Sequence, residues 1–140
     1  MTEGLPQGPE AVDTMIISWL FRRDPKIQPY ERYLTGRQFI VSFVTVAELR
    51  YGAANANWGE RRKEQLDERL AAMRVVLPDD DLVNAYVVMR DQCERIGDGL
   101  HAKDHEADRW IAATAIRYRL QLVSHDKIFD KAPGLVNIRL

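Results

Sequence analysis

Apolar positions in this chain fall into short β-rich runs separated by longer amphipathic stretches, a pattern that alternates between strand and helix. Glu10-Ala-Val-Asp13 predicts a short strand, and Thr14 to Arg23 predicts an apolar helical block that Asp24-Pro25 ends. The polar segment from Pro25 to Arg37 suits a surface helix with Pro29 in its first turn and Gly36 as the stop. Phe39-Ile-Val-Ser42 is a second strand, followed by a helical pattern from Val44 to Asn57. Gly59 to Met73 alternates charge signs while keeping Leu66, Leu70 and Met73 on one face, so it is an amphipathic helix. Arg74-Val-Val-Leu-Pro78 is a third apolar run, and Asp79-Asp-Asp81 caps a helix running to Ile96. Gly97-Asp98-Gly99 closes that helix, Asp104 to Arg119 forms the next, and Gln121–Ser124 and Val136–Leu140 supply two last strands.

Strands joined by helical crossovers imply an α/β fold with a mostly parallel sheet of about five strands flanked by helices. The 140 residues fit one domain, expected over 10–140 behind a flexible tail at 1–9. MTEGLPQGPE lacks the basic start and apolar run of a signal peptide, and no stretch approaches the roughly 18 apolar residues of a membrane span. A single cysteine, Cys93, cannot form an internal disulfide and agrees with a reducing, cytoplasmic setting. With 20 Lys+Arg against 21 Asp+Glu the chain is near neutral, which at first sight argues against a nucleic-acid partner.

In parallel sheets, sites form beyond the carboxyl ends of the strands. Asp13 and Asp126 follow the first and fourth strands, and Glu48 lies in the first turns of the helix after the second. Asp108 shares a helix face with Ile111, Ala112 and Ala115, the face expected against the sheet. Taken singly, Asp13 is a helix cap, Asp126 a turn residue and Glu48 an ordinary helix acid. A carboxylate turned toward a packed interface, however, costs several kcal/mol unless compensated. Four acids meeting at one sheet edge form a hard oxygen site that suits Mg²⁺ or Mn²⁺ and metal-assisted phosphoryl hydrolysis. If those acids share one pocket, the rest of the chain is net positive, so near-neutrality reflects segregated charge.

The blocks VDT at 12–14, SFVTVAELRYGA at 42–53, ADRWIAATA at 107–115 and LVSHDKIF at 122–129 resemble PIN-domain ribonucleases, in particular VapC-type toxins of toxin–antitoxin modules. The resemblance implies a Mg²⁺- or Mn²⁺-dependent endoribonuclease in which Asp13, Glu48, Asp108 and Asp126 hold the metal and carry catalysis, with Ser124 supporting. It also implies an RNA substrate, a VapB-like antitoxin and a homodimer. Met15 departs from the Ser or Asn common after the first Asp-Thr, which motivates an alternative: a weakened PIN domain that binds RNA or protein without cutting. A phosphatase using Asp13 as nucleophile suits the downstream acids less well than a water nucleophile does.

Arg50, Lys103, Arg109 and Lys127 neighbour the acid motifs and are candidates to contact RNA phosphates, against the plain alternative of solvated surface charge. His101 and His105 have the spacing of a zinc pair but lack convincing third and fourth ligands. Cys93, among Val88 and Met89, is expected to be a buried thiol. Trp110, Tyr51 and Trp58 could stack bases, though packing or a partner interface is the commoner role of such rings. The clusters Trp19-Leu20-Phe21 and Tyr30, Tyr33, Leu34 are expected to pack.

Overall fold

The computed structural model describes residues 8–140, so most of the tail expected at 1–9 lies outside the described residues. Strands β1 (Glu10–Val12), β2 (Phe39–Ser42), β3 (Arg74–Val76), β4 (Leu122–Val123) and β5 (Asn137–Ile138) form one parallel sheet in the order β3-β2-β1-β4-β5. Between them run helices α1 (Thr14–Arg22), α2 (Gln28–Leu34), α3 (Phe43–Asn55), α4 (Glu60–Ala71), α5 (Asp80–Ile96) and α6 (Glu106–Arg117). The α/β expectation, with about five parallel strands, is met.

Strand alternation decides what each face covers. Ala11, Ile40 and Leu122 point to a core built with α5 and α6, including Leu82, Met89, Ile111 and Ala112. Their neighbours Val12, Val41 and Val123 point the other way, into a core with Ile16, Ile17 and Trp19 of α1 and Tyr30 and Leu34 of α2. The three central strands β1, β2 and β4 are buried on both sides, which is why these runs are so apolar, while the edge strands β3 and β5 are partly exposed. A smaller cluster, Ala53 with Leu66 and Leu70, ties α3 to α4.

Local chemistry sets the helix ends. The Asp79 carboxylate accepts from the Leu82 N–H at 2.8 Å, with Asp80 and Asp81 in the first turn of α5. Gly97, at φ 72°, ends that helix in the left-handed conformation that favours glycine. Asp79→Ala should lower stability by about 1 kcal/mol, visible as a lower thermal midpoint with unchanged helix content.

Several boundaries differ from expectation. The 25–37 segment splits into a 3-10 turn at Pro25–Ile27 and a short α2, while its Tyr30 and Leu34 pack in the core as expected of that cluster. Helix α6 starts at Glu106, preceded by two 3-10 turns at Gly99–His101 and Lys103–His105. Strands β4 and β5 are two residues each; beyond β5 the chain leaves the ladder, and the Leu140 N–H and carbonyl both meet the Tyr30 hydroxyl.

Candidate active site

The direction in which strands are added reverses between β1 and β4, since β2 and β3 are added on one side and β4 and β5 on the other. That switch point is where parallel sheets open a crevice, and Asp13 and Ser124 follow the two strands that flank it. The Asp13 carboxylate caps α1 through the Thr14 N–H at 2.8 Å and accepts from the Ser124 hydroxyl at 2.7 Å. Ser124 Oγ accepts in turn from the Asp126 N–H at 3.1 Å. The three residues thus form one chain of hydrogen bonds across the crevice.

Asp13 is 6% exposed. Burial raises its pKa from 3.8 to about 6; the Ser124 and Thr14 hydrogen bonds oppose that rise, while the charges of Asp108 and Glu48 add to it. Those last contributions locate Asp108 and Glu48 around the same carboxylate. Glu48 is exposed on α3 and accepts from the Thr14 hydroxyl at 2.7 Å, and Thr14 Oγ1 also lies 3.0 Å from Thr45 Oγ1. A hydroxyl has one proton, so Thr14 donates to Glu48 and accepts from Thr45.

Asp108 sits at the rim of the crevice rather than in the packed interface. Its face-mates Ile111, Ala112 and Ala115 are buried as expected, but α6 begins only two residues before it, which leaves its side chain 28% exposed. It meets His105 Nδ1 at 2.8 Å, a partner that the i, i+3 spacing already allowed. Asp126 uses one carboxylate oxygen to cap the 3-10 turn at Lys127–Phe129 through the Ile128 N–H, and it lines a cavity with His105 and Lys127. His101 and His105 gather no third and fourth ligand for zinc among the described residues.

Among the described residues, no three Asp, Glu, His or Cys side chains stand close enough together, as folded, to hold a metal ion. The donor chemistry nonetheless fits Mg²⁺ or Mn²⁺. Asp13 is a buried carboxylate with no Lys or Arg within salt-bridge distance among the described residues, and the acids around it carry only hard oxygen donors.

The basic candidates divide. Lys103 and Lys127 are exposed near the rim, while Arg50 is exposed but paired with Asp67 of α4 at 3.2 Å. Arg109 is a correction: it is 2% exposed and cannot reach RNA. Its Nε donates to the Tyr86 hydroxyl at 3.0 Å, and its Nη1 donates to the carbonyls of Leu100 and Ala102. Nothing in the neighbouring sequence marks this charge as buried, because the groups that satisfy it are remote in sequence or are backbone carbonyls. This guanidinium holds the two 3-10 turns that lead into Asp108. Arg109→Lys keeps the charge but loses the fork, and should cost about 1–2 kcal/mol in denaturant unfolding.

Cys93 is a buried free thiol as expected, its pKa raised chiefly by burial. Trp110 packs, stacking on Tyr86 at 4.1 Å between centroids. Tyr51 is 71% exposed. Trp58 stacks on Phe21.

A family model for the PIN domain matches residues 11–135. The chain belongs to the PIN-domain family. PIN domains are generally nucleases that use divalent metals. Among solved structures, the chain resembles one in VapBC2 from Rickettsia felis bound to a DNA fragment from its promoter, with TM-score 0.77 and 21% identity over 95% of this chain and 98% of that one. It also resembles a chain in FitAcB from Neisseria gonorrhoeae, with TM-score 0.74 and 27% identity over 92% and 96%. A third is in VapBC-5 from Mycobacterium tuberculosis, a member of the VapBC family of toxin–antitoxin systems, with TM-score 0.69 and 26% identity over 96% and 100%. These likenesses agree with the VapC-type resemblance. No curated relative matches the chain in sequence.

Proposed function

We propose that this PIN domain is a Mg²⁺- or Mn²⁺-dependent endoribonuclease and the toxin of a type II toxin–antitoxin pair, acting in the cytoplasm with a VapB-like antitoxin as partner and a homodimer as its assembly. The observation that carries the nuclease reading is the buried Asp13 carboxylate, held without a cationic partner among the described residues and acted on by the charges of Asp108 and Glu48. A bound divalent ion would supply a water acidic enough to attack at neutral pH and a charge to stabilise the phosphorane-like transition state. Asp13, Glu48, Asp108 and Asp126 would hold it.

The chain's own residues prepare that site. Ser124 fixes one Asp13 oxygen and the start of α1 fixes the other, so the carboxylate is oriented before any ligand arrives. The Thr45–Thr14 hydroxyl pair aims the Glu48 carboxylate. His105 keeps Asp108 at the rim. The likeness to toxin–antitoxin complexes supports the antitoxin partner, and among the described residues no helix is long and apolar enough to cross a membrane.

Incubating the purified chain with RNA tests this reading. Cleavage should require Mn²⁺ or Mg²⁺, stop with EDTA and yield internal cuts. Metal-independent cleavage would refute the assignment. Absence of both cleavage and Mn²⁺ binding by calorimetry would favour the non-catalytic alternative suggested by the exposed Met15.

A further inference from the structure

Beside the acids, a trough runs between α1 and α4. One end is lined by Thr14 and Glu48, and it passes the stacked pair Phe21 and Trp58, whose rings lie 5.3 Å apart. It continues, through the shared walls Phe21 and Arg62, into a cavity of about 830 Å³. Arg23, Arg61, Arg62 and Arg69 line that cavity against a single acid, Glu68. None of the four forms a salt bridge among the described residues, whereas Arg37, Arg50, Arg95, Arg117 and Arg139 each pair with an acid.

Unpaired guanidinium groups gathered in one cleft raise the local potential and draw in an anion. Here they are interleaved with aromatic planes: Arg62 lies 3.9 Å from the Trp58 ring centroid, and Arg69 lies 5.7 Å from that of Phe21. We infer that this trough is the track for a single-stranded RNA, its phosphates on Arg61, Arg62 and Arg69 and an unpaired base against the Trp58–Arg62 stack, leading the strand to the carboxylates at Glu48. This rests on the ribonuclease reading of the site and names where its substrate lies. Alternating charge and planar groups match alternating phosphate and base, and a base must be unpaired to offer its face. An acidic peptide would answer the charge but leave the planes unused.

The test uses the full chain and a fluorescent oligoribonucleotide of about 12 nucleotides, in EDTA so that binding is read without cleavage. The variant combining Arg61→Gln, Arg62→Gln and Arg69→Gln should lose at least about tenfold in affinity, and the slope of log affinity against log salt should fall by about 2. Hydrolysis of a small phosphodiester, bis(p-nitrophenyl) phosphate, should be unchanged with Mn²⁺. Arg61→Gln alone, which spares the Trp58 stack, should shift the slope by about 0.7, so a fold defect in the triple variant does not mask the result. Arg62→Lys should weaken binding with the slope intact. Equal RNA affinity and slope in wild type and Arg61→Gln, or a polyglutamate peptide that binds the trough while RNA does not compete, would overturn the track. If wild type cleaves nothing yet the slopes still separate, the nuclease reading has failed and the track stands.

Discussion

Asp108→Asn should reduce RNA cleavage by more than about 100-fold while leaving the fold intact. Even outer partners of metal sites are commonly worth 10–100-fold in activity, and Asp108 is proposed as a ligand. Three features make the variant a clean one. The side chain is half-exposed at the start of α6, so the near-isosteric amide meets no packing constraint. Its hydrogen-bond partner in the fold is His105 Nδ1, and an amide oxygen can still accept from that ring. The buried face that anchors α6 belongs to Ile111, Ala112 and Ala115, which the change does not touch. Circular dichroism and the thermal midpoint should therefore match wild type, and Mn²⁺ affinity by calorimetry should fall together with cleavage. Wild-type cleavage by purified Asp108→Asn with Mg²⁺ or Mn²⁺ would remove Asp108 from the site.

Where the sequence was informative, a single local signal decided the structure. The Asp79 cap and the Gly97 stop bracket α5 because capping depends on neighbours within a few residues. The short apolar runs around Val12, Val41 and Val123, separated by helical crossovers, read as strands of a parallel sheet, and that placed Asp13 and Asp126 at strand ends. Contacts between distant segments were not legible. Nothing near Arg109 announces that Tyr86, 23 positions earlier, would take its Nε, or that the backbone would take the rest. The Thr14–Glu48 bond, spanning 34 positions, was equally hidden, and only the shared sheet edge was inferable. The trough arginines escaped notice for a different reason. On α4 they alternate with acids, as on any solvated helix, and only the packing of α4 beside Phe21 gathers them, still exposed, along one cleft.

The site also carries a folding cost that can be measured at Asp13. Its pKa is about 6 in the fold against 3.8 for a free side chain, the rise coming first from burial and then from Asp108 and Glu48. Below pH 3.8 both folded and unfolded chains are protonated there, and the residue imposes no charge penalty. Between 3.8 and 6 the unfolded chain ionises while the folded one stays neutral, so stability falls as pH rises. Above 6 both are ionised and the full loss, on the order of 3 kcal/mol for about two pKa units, persists. Asp13→Asn removes this dependence. Its amide oxygen can accept from the Thr14 N–H and its amino group can donate to Ser124 Oγ, although the Ser124 hydroxyl then needs another acceptor, at about 1 kcal/mol. The variant should be more stable than wild type by about 2 kcal/mol at pH 7.5, several degrees in thermal midpoint, and no more stable at pH 3.5. A divalent ion that binds the folded site stabilises it by mass action, so Mn²⁺ should raise the wild-type midpoint at pH 7.5 and leave Asp13→Asn nearly unmoved. If the difference between wild type and variant does not grow from pH 3.5 to 7.5, burial is not what holds this carboxylate poised for a cation.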